Sequence, residues 1–333
     1  MSTNSGVIGT ISLTQRNFDI FGWPDSTRQL FRGQAFRGAG QTLSLVAQPG
    51  TELSEFSVEW TDPYLLDQPY SLSVRGFLFE RGRDSYDEHR VGAMTSLGHR
   101  FTNKWYVELA QRIENVRIDD LDHDAPPEVR KVAGDNLLLG TKLTVVRDRT
   151  DSRWIPTTGD RFRVSYEQVY GDHTFGKAMA DYSIYRTVHT DALDRKHVWA
   201  NRFTAGNIIG SAPIFERLYA GGAGSVRGFG YRGISPRSLV NDDPVGGDLL
   251  LLAGSEYEFP LIGNQIRGAV FIDTGTVEED FEITSYRVSA GVGVRWIVPL
   301  LGPVPMSFDL GFPLAKHKDD DTQIFSFSIG ITF

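Results

Sequence analysis

The residues best placed to do chemistry lie in the glycine-rich stretch FERLYAGGAGSVRGFGYRGISP, Phe215 to Pro236. Glycine at this density lets backbone pack closely and adopt positive φ. A phosphate-binding loop would need glycines between a strand and a helix. Neither the spacing of a dinucleotide fingerprint nor the Lys-Ser/Thr of a P-loop is present. Seven histidines are scattered from His89 to His317, without an H-E-x-x-H motif, and no G-x-S-x-G occurs. Serines are plentiful, but no arrangement singles out a nucleophile and its base, which leaves a barrel-embedded hydrolase as a distant alternative. The acidic run Asp319, Asp320, Asp321 lacks the spaced ligands and glycine of an EF-hand loop and reads as a solvated turn. The expectation is therefore a protein that is not an enzyme and holds neither metal nor cofactor. A formal net charge of -8 argues against nucleic acid as a partner, since that affinity comes from clustered Lys and Arg.

The elements that must carry this stretch are strands. No run approaches the ~18 apolar residues of a spanning helix, whereas a barrel strand crosses a bilayer in ~9 to 11 residues and shows apolar side chains only at alternate positions. Alternation is strongest near the C-terminus, where Val288, Ala290, Val292, Val294 and Trp296 interleave with Arg287, Ser289, Gly291, Gly293 and Arg295. The next run sets Val304, Met306, Phe308, Leu310 and Phe312 against Ser307, Asp309 and Gly311. The last sets Phe325, Phe327, Ile329, Ile331 and Phe333 against Ser326, Ser328, Gly330 and Thr332.

About fifteen such segments are expected, near residues 6–14, 41–49, 53–62, 69–82, 88–101, 104–118, 136–149, 160–170, 174–189, 196–208, 247–260, 266–276, 285–298, 303–312 and 323–333. Short connectors (FTNK, LDRK, PLLGP) fall on one side and the long ones, 119–135 and 209–246, on the other, the asymmetry of a membrane barrel. Residues 15–40 form a long connector on the short-turn side. Residues 1–333 thus read as one all-β domain, a transmembrane antiparallel up-and-down β-barrel. An antiparallel meander closes only with an even strand number, so fifteen points to sixteen with one missing from the front. The start, Met1 to Gly6, has no basic or apolar leader region, which also points to chain upstream.

The string GGAGSVRGF resembles the VRGF/Y signature of loop 6 in the BamA/TamA-type outer-membrane assembly insertase superfamily, with Val226, Arg227, Gly228 and Phe229 as the match. Further resemblances run along the chain: GTISLTQRNFDIFG, VEWTDPYLLDQP from Val58, DRTDSRWIPTTGDRF from Asp148, VFIDTG, and the aromatic-ended last strand. The resemblance implies a 16-stranded barrel in a bacterial outer membrane, preceded by periplasmic POTRA domains. It also implies that loop 209–246 is extracellular and folds into the lumen, where its arginine pairs with acids on the two strands that follow. Alternation puts Glu256 and Asp273 on the lumenal faces of those strands. An arginine in a partly dehydrated lumen suits a carboxylate with its planar fork, so Arg227, Glu256 and Asp273 form a sensible cluster. Its role is to pin the loop, or, as the less favoured alternative, to touch substrate.

The resemblance further implies folding and insertion of β-barrel proteins into the outer membrane. The partners would be outer-membrane lipid, unfolded β-barrel clients and accessory lipoproteins reached through the POTRA domains. The last strand, Phe325, Phe327, Ile329, Ile331 and Phe333, would serve as the signal by which assembly machinery recognises barrels. The alternatives are a TamA-like or two-partner-secretion polypeptide translocator and, from another class, a passive channel. The lumen loop speaks against the passive channel.

Overall fold

The computed structural model describes residues 9–32, 35–102, 104–263, 265–297 and 304–330. The strands are β1 (Ile11–Phe18), β2 (Arg37–Gln48), β3 (Leu53–Asp62), β4 (Tyr70–Gly82), β5 (Asp87–Arg100), β6 (Trp105–Asp119), β7 (Gly134–Asp148), β8 (Gly159–Gly171), β9 (Phe175–Thr190) and β10 (Lys196–Gly210). They continue with β11 (Gly228–Phe229), β12 (Leu249–Ile262), β13 (Ile266–Glu278), β14 (Arg287–Ile297), β15 (Pro305–Ala315), β16 (Thr322–Gln323) and β17 (Phe325–Ile329). Fifteen of them make one sheet in which each strand pairs antiparallel with its neighbours in the chain; the two short ones, β11 and β16, pair with each other. Two short helices, α1 (Thr27–Phe31) and α2 (Pro127–Arg130), lie in connectors.

Burial follows the period of two. Along β13, Ala269, Phe271 and Asp273 are buried while Val270 and Ile272 are exposed, and along β17 Ser326 and Ser328 are buried beneath an outward Phe325. Apolar side chains therefore cover the outside of the sheet, as lipid requires, and the polar faces turn inward. The interior is nonetheless not all polar. Ile214, Phe215, Leu218, Val226, Phe229 and Ile234 of the β10–β12 loop pack on inward residues such as Val116, Leu138, Val169 and Leu250. The apolar core of this molecule is made by a loop inside its barrel.

The alternation located the strands well, but three details differ. Residues 15–40 are not an unbroken connector: β1 runs on to Phe18, β2 begins at Arg37, and the turn between is ordered by Gln41, whose side-chain oxygen accepts from the Ile20 N–H at 3.0 Å, and by Phe36 stacked on Phe18. Connector length does not divide cleanly by side, because 19–36 and 149–158 lie at the end opposite the loops 120–133 and 211–248. The last segment, expected as one strand over 323–333, bends at Ile324, because Thr322 and Gln323 turn away to pair with β11. Ile331 and Phe333 lie outside the described residues.

The 149–158 connector is built from its acids. Asp151 accepts from the Thr157 and Thr158 N–H groups at 2.8 and 3.1 Å, and Asp160 holds Arg147 at 2.7 Å and the Arg149 Nε at 2.8 Å. Gly159, at φ +100°, has no room for a side chain, since a Cβ would sit 2.1 Å from the Arg149 carbonyl oxygen.

The outward face is tested at Leu143, exposed on β7. Leu143→Arg should cost about 2–4 kcal/mol in phospholipid vesicles. The measurement is the denaturant midpoint; an unshifted midpoint would mean that this face does not meet lipid.

Candidate functional site

Arg227 is 6% exposed and lies among the inward side chains of β12 to β15. Its Nε and Nη2 donate to the two oxygens of Asp273 at 2.7 and 2.9 Å, and its backbone N–H reaches the same carboxylate at 3.2 Å. Nη1 donates to Glu256 and stands 3.6 Å from Asp309, while the guanidinium lies 3.5 Å from the centroid of the Phe271 ring. Arg295 completes the network, its Nη2 and Nε donating to the two oxygens of Glu256 at 2.7 and 3.2 Å and its Nη1 to Asp309 at 2.7 Å. Burial works against the charge on Arg227, but Asp273 and Glu256 hold it protonated even more firmly than an ordinary arginine. The fork matters: one planar group makes a two-pronged contact with Asp273 and still reaches Glu256 on the adjacent strand, a geometry that the point charge of a lysine does not reproduce.

Small residues let the loop come this close. At Gly311 a Cβ would meet the Gly228 nitrogen at 2.6 Å, and Gly228 itself has φ +91°. Gly291 leaves room for the Phe271 ring, whose tip lies 2.4 Å from the position its Cβ would take. The segment is then fixed by strand pairing, Gly228 with Gln323 and Phe229 with Thr322. Gly230 N–H donates to the Asp321 carbonyl at 2.9 Å, and Arg237 holds the Asp321 side chain at 2.8 Å. The loop thus grips the hairpin that leads into β17, and Arg287 from β14 holds Asp320 of the same hairpin at 3.0 Å.

The loop has a second anchor of opposite polarity. Glu216, near its start, meets Arg90 of β5 at 2.9 Å, Arg112 of β6 at 3.2 Å and Lys177 of β9 at 3.6 Å. Arg90 also donates to the Phe215 carbonyl at 2.8 Å and faces the Phe215 ring. Burial alone would raise the Glu216 carboxyl, yet Lys177, Arg90 and Arg112 outweigh it and bring it down to about 2. An anion at the start of the loop sits on cations of β5, β6 and β9, and a cation further on sits on anions of β12, β13 and β15. The loop straddles the interior.

Val226 and Phe229 are fully buried in the loop core, and Gly228 is the close approach just described. Phe325, Phe327 and Ile329 share the outward face of β17, with Phe327 against Phe308 of β15 at 5.1 Å between centroids. Sequence reasoning did not assign Arg295, Asp309 or Glu216 to the site. The first two were visible as charges on inward faces of alternating strands; Glu216 carried no such signal, because it lies in a loop.

Residues 35–333 match the model of the Omp85 superfamily domain. The chain belongs to the Omp85 superfamily. It is 27% identical to the outer membrane protein assembly factor BamA of Nitratidesulfovibrio vulgaris, over 89% of this chain and 38% of that one. It is also 26% identical to a SAM50-like protein of Schizosaccharomyces pombe, over 89% and 66%. Among solved structures, BamA from Haemophilus ducreyi lacking POTRA domains 1–3 superposes with a TM-score of 0.81 at 18% identity, covering 98% of this chain and 67% of that one. The chain therefore spans less than half the length of the curated BamA relative, and it carries the barrel fold. Superfamily membership places that barrel in the bacterial outer membrane, with the exposed apolar face of the sheet toward lipid.

Within this Omp85 barrel, Arg227→Ala would leave Asp273 and Glu256 buried without their shared cation, so a loss of about 3–5 kcal/mol is expected, with Arg227→Lys recovering little of it. Unfolding in denaturant measures it, and a loss below that of an ordinary surface mutation would remove the cluster from the account. A second expectation concerns acid. Because the folded Glu216 value is depressed from 4.5 to about 2, its stabilisation is complete above 4.5 and is lost as pH falls toward 2. Glu216→Gln should flatten the stability curve across that window; an unchanged acid limb would assign the loss to other groups.

Proposed function

We propose that this chain is the barrel of an outer-membrane assembly factor, which folds β-barrel clients and inserts them into the membrane without covalent chemistry. The observation that carries this reading is the grip of the signature loop on the hairpin that leads into β17, made by β11 paired with β16 and by Arg237 on Asp321 at 2.8 Å. Strand edges are costly in lipid and template other strands, so a loop that holds the approach to the terminal strand suits a barrel whose seam receives an incoming chain. The names of the BamA and SAM50-like relatives agree with it. On this reading the end carrying loops 120–133 and 211–248 faces outside. Arg227 pins the loop rather than touching substrate, since its donors are already committed to Asp273 and Glu256.

The test is reconstitution of the full-length protein in liposomes with a urea-unfolded β-barrel client, scoring the heat-modifiable folded form over time. Assembly should run about tenfold or more faster than in empty liposomes, equivalent to about 1.4 kcal/mol of barrier. Phe229→Cys with Thr322→Cys, oxidised to hold β11 on β16, should slow it, and reductant should restore it. Clients that fold no faster than in empty liposomes, together with a steady ionic conductance, would make the protein a passive channel instead.

A further inference from the structure

At the long-loop end, apart from the Arg227 cluster, the barrel contains a cavity of about 400 Å³ bordered by Arg81, Arg83, Ser85, Tyr86, Tyr231 and Arg232. Arg232 is the unusual member. Its backbone takes φ +59°, a region that non-glycine residues enter only at a cost. Its guanidinium lies 3.7 Å from the centroid of the Tyr219 ring and 5.9 Å from that of Tyr231. It is half-buried, and among the described residues it has neither a carboxylate within ion-pair distance nor a hydrogen-bond acceptor, so its donors are open to a ligand in the cavity.

The neighbouring groups add positive charge and hydroxyls to the same space. Arg83 gives two protons to Glu88, at 2.9 and 2.6 Å, but Glu88 is shared with Arg90, and the remaining Arg83 nitrogen reaches only the Tyr231 hydroxyl at 3.5 Å. Arg81 faces the Tyr231 ring at 4.1 Å. Ser85 and Tyr86 are 4% and 6% exposed, and among the described residues their hydroxyls have no hydrogen-bond partner. Burial would push the Tyr231 hydroxyl up, yet the charges of Arg232, Arg83 and Arg81 draw it below the usual phenol range. Carboxylates do line the cavity, but Glu52 and Asp84 are exposed at its rim, and Asp243 accepts from Asn241 at 2.8 Å.

We propose that this cavity binds a phosphate-type oxyanion, held by the guanidinium groups of Arg232 and Arg83 and the hydroxyls of Ser85 and Tyr86. Two forked cations and two hydroxyls around one space match a tetrahedral oxyanion, whose oxygens accept in several directions, better than a planar carboxylate or a bare halide. The volume exceeds that of phosphate alone, leaving room for a sugar or headgroup that carries it. The site stands independently of the assembly reading, and the same chemistry could come from free phosphate or from a phosphorylated glycolipid.

The experiment titrates the full-length protein, folded in detergent micelles, with inorganic phosphate and with glucose 1-phosphate at constant ionic strength, followed by calorimetry. Saturable binding is expected. Arg232→Gln should weaken it about tenfold or more and Tyr86→Phe by a smaller factor, in keeping with lost charge-assisted and neutral hydrogen bonds. Heat-modifiable migration shows that each variant is folded; should Arg232→Gln not fold, Tyr86→Phe and Ser85→Ala decide. Vesicles of a phosphorylated glycolipid that compete with phosphate, where dephosphorylated ones do not, identify the headgroup as the source. Phosphate binding without that competition identifies the free anion. Non-saturable uptake, or the same affinity in folded variants and the unmodified protein, overturns the site.

Discussion

An arginine carried into the interior of a barrel has to be met there by carboxylates, and much of this structure is arranged around that requirement. Arg227 can be buried because Asp273 and Glu256 approach it from neighbouring strands and Arg295 ties Glu256 to Asp309. Truncating one member of such a network strands the others in a poorly solvating space, so its members depend on one another. Net stabilisation is a separate matter, since desolvating five charged groups offsets much of their attraction. What the network supplies above all is a unique position for the loop.

That position has mechanical consequences. Glu216 fastens the start of the loop to cations on β5, β6 and β9, and Arg227 fastens its signature to anions on β12, β13 and β15, so opposite walls of the barrel are joined by one loop of reversed polarity. Between the two anchors the loop contributes an apolar core that the inward faces of the strands could not make alone. Beyond them β11 pairs with β16, immediately ahead of the last described strand. A movement of the loop is thereby a movement of the hairpin that leads into that strand. The glycines at 228, 291 and 311 serve the same end, because any side chain there would separate the loop from the wall.

How much of this could be read from the residues alone depends on the range of the interaction concerned. A strand with one face in lipid and one face inward must alternate, and alternation is a local property; the positions of nearly all strands and the inward orientation of Glu256 and Asp273 follow from it. The β1–β2 region was misjudged for a local reason of a different kind: Asn17, Gln41 and Phe36 order the turn through specific contacts that have no period. The bend at Ile324 was hidden because Thr322 and Gln323 look like the beginning of an alternating strand, and only the presence of Gly228 and Phe229 beside them draws them off.

The sequence by itself determined an all-β chain of alternating strands, the absence of catalytic and metal motifs, and a glycine-rich loop bearing an arginine in need of acids. Tertiary structure alone decided that Arg295 and Asp309 join that arginine, that Glu216 lands on Arg90, Arg112 and Lys177, and that Arg232 comes to rest among tyrosines with its donors uncommitted. The division has a physical cause. Periodicity records which medium a side chain faces, whereas the partner of a buried charge is set by which distant strands the sheet and its loop bring within hydrogen-bonding distance, and spacing along the chain carries no trace of that.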